Sequence, residues 1–202
     1  MCPGGFIVPA ATSLGEVVVN GMSPSMRNSR FANSGIVVEI RLEDLISYSK
    51  FGVLAGLEFQ NDLELLAGKN GGLGVKAPAQ RLVDFVDGKN SNSLPICSYH
   101  PGVNPSAMHE WLPEHISKRL QLGFMEFGKK MRGFLTNEAL ILGVESRTSS
   151  PIRIPRDPET LQHIRIKGLF PSGEGAGYAG GIVSSAVDGE RCADGVANYL
   201  KG

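Results

Sequence analysis

The stretch GLFPSGEGAGYAGGIVSSAVDG, Gly168–Gly189, decides how this chain is read. It contains G-x-G-x-x-G at Gly175, Gly177 and Gly180. Glycines at that spacing let a ligand approach the backbone, and at a helix start they leave N–H groups free for electron-rich atoms. Ahead of it, Ile164, Ile166, Leu169 and Phe170 suit a short strand ending at Pro171. Behind it, Ala179, Ile182, Val183, Ala186, Val187, Ala193, Val196, Ala197 and Leu200 recur at helical spacing, so a helix from about Ala179 runs close to the C-terminus. The expected order is strand, glycine-rich turn, helix.

A dinucleotide fold that opens on this motif continues into a second strand, whose Asp or Glu about twenty residues on bonds the ribose. The chain stops at Gly202 with the helix barely finished. The motif is therefore expected to close a domain whose beginning lies elsewhere. The plainer alternative, glycines that cap a buried helix, stands beside that expectation.

The composition bounds the function classes. A chain of 202 residues with 42% hydrophobic content can fill a real core. Lys+Arg 20 against Asp+Glu 20 leaves no net field for nucleic acid, and no basic run stands out. Cys2, Cys97 and Cys192, an odd and widely spaced set, fit reduced thiols in a cytoplasm. No apolar run reaches membrane-spanning length.

Along the chain, Phe6–Ala10 and Glu16–Asn20 read as a hairpin about a Ser13–Gly15 turn, and Gly35–Ile40 as a further strand. Leu54, Leu57, Leu65 and Leu66 mark a helix over Val53–Ala67, and Leu82, Phe85 and Val86 a shorter one after Pro78. Prolines at 95, 101, 105 and 113 predict a surface loop. Ile116, Leu120, Phe124, Phe127, Met131 and Phe134 predict a long amphipathic helix over Pro113–Phe134. The EALILGVE segment reads as a strand, SRTSSP as a polar turn and IRI at 152–154 as a short strand. The fold class is mixed α/β.

CPGG (Cys2–Gly5), NGMS (Asn20–Ser23), RFANS (Arg30–Ser34), AGLEFQ (Ala55–Gln60), GVESRTSSPIRI (Gly143–Ile154) and the Gly173–Gly189 motif together resemble the uncharacterised FAD-dependent dehydrogenases, a branch of the two-dinucleotide-fold flavoproteins. In that family these motifs lie in the C-terminal part of a longer polypeptide, whose N-terminal part binds the ADP half of FAD. The resemblance implies a substrate-side α+β domain over 1–160 and, over 161–202, the closing part of an incomplete FAD-binding Rossmann-like domain. It implies FAD as cofactor, a small-molecule substrate, and the absent N-terminal half of the same polypeptide as partner. A nicotinamide nucleotide is admissible as co-substrate, and self-association would bury an incomplete face.

The resemblance places Gly173, Glu174, Gly175, Gly177, Gly180, Gly181 and Ile182 at the flavin, with Glu174 accepting from a ribityl hydroxyl and the glycines offering backbone donors. Arg147, Ser149 and Ser150 pack a guanidinium and hydroxyls into one turn suited to an anion or the polar edge of a flavin, or equally into a solvated turn whose hydroxyls bond their own backbone. Arg27 and Arg30 are placed near the catalytic cleft as substrate contacts. Cys97, His100, His109 and His115 match no common zinc spacing, and no catalytic acid or base is assigned. The competing class is a non-catalytic interaction domain of flavoprotein ancestry.

Overall fold

The computed structural model describes residues 2–202. It is mixed α/β. β1 (Cys2–Pro3) pairs antiparallel with β4 (Ala32–Asn33), and β2 (Phe6–Pro9) pairs antiparallel with β3 (Val19–Met22), Phe6 opposite Met22 and Pro9 opposite Val19. The expected hairpin therefore forms. Its second strand starts at Val19, three residues later than the expected start at Glu16, because Val17 N–H bonds the carbonyl of Glu64 instead of β2. Val17, Val18 and Val19 are all buried.

Residues 35–40 form no strand. The expectation for GIVVEI fails because β-branched residues make a strand only when a partner edge is offered, and Val37 and Ile40 are exposed. A 3-10 segment, Leu42–Leu54, follows, broken at Gly52 and burying no residue. α1 (Ala55–Gly71) continues it, two residues later at its start than the leucine stripe suggests and running through Gly68. Gly68 is required there: a Cβ would run into the Gly15 carbonyl.

β5 (Ala77–Arg81) is the centre of a three-stranded sheet, parallel to β6 (Val103–Pro105) and antiparallel to β7 (Leu140–Leu142). Ala77, Ala79 and Gln80 are wholly buried, so the strand is covered on both faces. α2 (Leu82–Asp87) leaves it directly and ends at Gly88 in the left-handed conformation. The proline-rich middle is not a surface excursion throughout. It supplies β6 and α3 (Met108–Trp111), and Tyr99 and Met108 are buried. Four prolines block long elements without preventing short ones.

α4 (Glu114–Lys130) carries the expected stripe from Ile116 to Phe127 but ends before Met131 and Phe134, four residues sooner than expected; Ile116 and Phe124 are buried, and Phe85 of α2 meets Phe124 edge-on at 6.1 Å. Glu114 in its first turn and Lys129 and Lys130 in its last complement the helix dipole. The segment 152–154 forms no strand, and neither does 164–170, where turns replace it and only an isolated bridge joins Arg156 to His163. Ile164, Ile166 and Leu169 are exposed, so the run of apolar residues has no sheet to bury it. α5 (Ile182–Lys201) follows the glycine-rich turn, starting three residues after Ala179. No described helix is long and apolar enough to cross a membrane.

The chain divides into two compact units, one holding the residues up to Ser47 with Phe59–Ser146, the other Tyr48–Glu58 with Arg147–Gly202. The hairpins, the three-stranded sheet and α2, α3 and α4 belong to the first. The glycine-rich turn and α5 belong to the second.

Two glycine-to-alanine changes in helices separate propensity from packing. Gly123→Ala in α4, where a Cβ meets nothing within 4 Å, should stabilise by about 0.5–1 kcal/mol. Gly68→Ala in α1 should destabilise by about 1–3 kcal/mol despite the same gain in propensity. Urea unfolding of the two variants checks the opposite signs.

Candidate functional site

The second unit is organised around one buried ion pair. Arg156 Nη2 lies 2.6 Å from Asp188 Oδ1, and Nη1 donates to Oδ2 at 3.0 Å, a two-pronged fork whose side chains are 6% and 8% exposed. The remaining bonding capacity is used locally. Arg156 Nη1 also donates to the Pro171 carbonyl at 2.7 Å, and Asp188 Oδ2 accepts the Gly173 N–H at 2.8 Å. The carboxyl is thereby held down to about 2, first by the hydrogen bond from Arg156 and then by the Gly173 amide, against the opposing effect of burial.

Asp188 sits in the second turn of α5, so the fork ties the helix to the 156 segment and to the Pro171–Gly173 stretch that leads into the glycine-rich turn. Tyr178 completes the clamp. Its ring lies 3.6 Å under the Arg156 guanidinium and 4.4 Å from that of Arg153. Its hydroxyl accepts the Arg156 N–H and donates to the Ile154 carbonyl, both at 3.0 Å. Ile154 N–H bonds the Ala176 carbonyl, and Tyr178 N–H the Gly173 carbonyl. The 150–156 segment and the Gly173–Tyr178 turn thus form one backbone-linked body.

The glycines of that turn do different work. Gly173 and Gly177 adopt φ of 70° and 82°, which an L side chain rarely takes. A Cβ at Gly177 would also stand 2.6 Å from the Ile152 carbonyl oxygen, so this glycine is needed for packing. At Gly175 and Gly180 a Cβ would meet nothing, and both are exposed. Gly181 is the N-cap of α5, with extended backbone and no side-chain cap, which leaves the first N–H groups of a 20-residue helix turned outward. The helix start itself is exposed, Ile182 92% and Val183 76%. Glu174 accepts the Gly177 N–H through its carbonyl, and its carboxylate makes no hydrogen bond among the described residues.

Of the second candidate group, Ser150 is drawn into this body. Its hydroxyl donates to the Ile152 carbonyl at 2.8 Å and reaches the Gly175 carbonyl at 3.3 Å. Ser149 is exposed, and Arg147 is engaged by other groups. Arg27 and Arg30 lie in the first unit. Arg27 holds φ of 43°, with Gly4 packed on its carbonyl, and Arg30 lies 5.0 Å over the ring of Phe31. No group of three or more metal-ligating side chains occurs among the described residues. His109 Nδ1 instead meets buried Gln80 at 2.8 Å, and His115 lies against Phe59.

Sequence reading missed Arg156, Asp188 and Tyr178, the residues that hold the turn. The apolar spacing gave no signal for them: at the helical period Asp188 falls on the face of the last helix opposite the stripe of Ile182, Ala186, Ala193 and Leu200, and that opposite face is the one buried.

Asp188→Asn should destabilise the chain by about 3–5 kcal/mol, because it leaves the Arg156 charge buried without its counterion. The folded carboxyl titrates below its unfolded value, so its contribution is complete above pH ~4 and is lost as the pH falls from there towards 2. Unfolding curves at pH 7 and pH 3 should show the gap between parent and variant shrinking at the lower pH.

An uncharacterized protein of Clostridium beijerinckii is 43% identical to this chain over 196 residues, 96% of this chain and 36% of its own length. The chain thus spans little more than a third of that relative. The model of the family described as "FAD-dependent protein, C-terminal domain-like" matches residues 1–148. That match covers the whole hairpin and sheet region, and it ends just before the body built on Arg156 and Asp188. The chain belongs to the FAD-dependent protein, C-terminal domain-like family.

Proposed function

We propose that this chain is the C-terminal part of an FAD-dependent oxidoreductase, a dehydrogenase of the two-dinucleotide-fold kind, acting on a small-molecule substrate. The observation that carries the reading is the uncapped start of α5 beside the open Gly180, held rigid by the Arg156–Asp188 fork. The residues fit the cofactor. Outward N–H groups and the positive end of a helix dipole favour phosphate or the electron-rich edge of a reduced flavin, and an absent Cβ at Gly180 allows close approach.

Gly180, Gly181 and Ile182 would hold the flavin by their N–H groups, and Glu174 would accept from a ribityl hydroxyl. Gly173 and Gly177 shape the turn. Ser150 fixes the Gly175 carbonyl, and Arg147, Ser149, Arg27 and Arg30 are assigned to substrate or flavin contacts. When bound, the flavin supplies the electron transfer; the protein supplies position and electrostatics.

The partner is the upstream part of a longer polypeptide, in line with the 36% coverage of the relative. Ile182, Val183 and Val187 share a face of α5 and are 92%, 76% and 51% exposed, an apolar strip that such a partner would cover. A second copy of the chain is the other body that would bury this strip. The setting proposed is the cytoplasm, in keeping with its free cysteines.

Purified full-length gene product should show flavin absorbance, and colourless protein that takes up no added FAD would leave the non-catalytic interaction domain as the better reading. Bleaching of that absorbance by NADPH would identify a nicotinamide co-substrate. Gly180→Val and Gly181→Val should each remove most of the flavin while the protein stays folded. Glu174→Gln should weaken binding less, since its amide oxygen still accepts. A folded Gly181→Val protein with its full flavin complement would overturn the assignment.

A further inference from the structure

We propose that Glu145 is the proton-carrying carboxyl of the substrate side, a general acid–base group set where the NGMS, RFANS and GVES segments meet, an assignment that rests on the flavoprotein reading above. The three segments converge through named bonds. Val19 N–H donates to the Val144 carbonyl at 2.9 Å, which sets residue 145 beside the start of β3. Asn33 Nδ2 donates to the carbonyls of Phe6 and Met22 at 3.3 Å, tying the RFANS segment to both strands of the hairpin. Gly35, directly after that segment, lies against the Glu145 carboxyl: a Cβ there would stand 2.6 Å from Oε2. Gly35 is itself exposed, so the carboxyl is shielded by backbone yet lies at the protein surface.

What separates Glu145 from the other shielded carboxylates is the lack of a partner. Asp188 has Arg156, and Asp44 has Arg119 on both oxygens at 2.6 and 2.9 Å. Buried Glu64 accepts from Gln60 and Ser146. Glu145 makes no hydrogen bond or ion pair among the described residues, Gly35 packed on it has no side chain to offer, and Arg147, two residues on, is engaged by other groups. Burial without compensation raises its pKa. A glutamine of the same shape would fit this place without the cost of a shielded charge, so the carboxyl here costs stability, as a group poised for proton transfer does.

The chemistry suits it. Oxidising a carbon that bears an O–H or N–H requires a base for the heteroatom proton. That bond breaks, the proton passes to the Glu145 carboxylate, and the bonding pair left on the substrate heteroatom forms the new double bond to carbon, while the C–H hydrogen and its electron pair would pass as hydride to the flavin of the proposed function, the two-electron oxidant. A carboxylate of raised proton affinity is the better acceptor near neutral pH.

The test begins on the chain itself. In carboxyl-carbon NMR, Glu145 should titrate above the ordinary value of a solvated glutamate. Its folded pKa lies above the unfolded one, so the parent loses stability as the pH rises through the folded value, whereas Glu145→Gln does not. The variant should therefore be the more stable at pH 7, with the gap closing below pH ~4. In full-length protein, the reduction potential of the bound flavin should inflect with pH at the NMR midpoint in the parent and run straight in Glu145→Gln at unchanged flavin content. Titration among the ordinary glutamates, or identical potential profiles in both proteins, would overturn this assignment alone. Full-length protein without flavin would overturn the underlying reading as well.

Discussion

The fork between Arg156 and Asp188 is the interaction on which the second unit depends. A buried charge pair is stable only when its geometry is good and its leftover donors and acceptors are used. Here the surplus guanidinium hydrogen goes to the Pro171 carbonyl, the surplus carboxylate lone pair to Gly173, and the flat guanidinium face to Tyr178. Each of those groups belongs to the loop before α5. The ion pair therefore acts less as a source of stability than as a jig that sets the loop relative to the helix. It positions a glycine-rich turn that has almost no side chains with which to position itself.

The first unit solves a similar problem by close backbone approach. β5 is built from Ala, Pro, Ala and Gln, small or flat groups that let sheet neighbours and helices come close on both faces. The one polar side chain sealed in that layer is satisfied: Gln80 donates to the Lys89 carbonyl at 2.7 Å and to His109 Nδ1 at 2.8 Å. Since Lys89 offers only an acceptor, the amide orientation is settled, and His109 Nδ1 must accept, which leaves the ring proton on Nε2. Gly68 under the Gly15 turn and Gly4 against Arg27 repeat the device at the hairpin. In each case a missing Cβ admits a backbone carbonyl.

The two units divide the chemistry that the proposed activity needs. The second presents a rigid, outward helix start suited to an electron-rich ligand, with an apolar strip beside it. The first presents a corner of hairpin and loop with two arginines and one unpartnered carboxyl. The family match runs over residues 1–148, and the glycine-rich turn lies beyond it.

What the sequence determined by itself is periodic or local. The α4 stripe was legible because its apolar residues recur at the helical period and Ile116 and Phe124 among them are buried. The β2–β3 hairpin was legible from two apolar runs around a glycine turn, and the motif order pointed to the flavoprotein family. Gly175, Gly177 and Gly180 were legible as a turn, but not as one packing glycine between two open ones. The strand at Ala77–Arg81 was illegible, because β-branched residues and alternation are absent from a strand buried on both faces. Residues 35–40 and 164–170 showed the converse error, since strand-like composition makes no strand without an edge to pair with. Only the tertiary structure brought Arg156 to Asp188, 32 residues apart, and set Glu145 against Gly35. Contacts of that range depend on where the chain turns back, and single-residue chemistry carries no record of it.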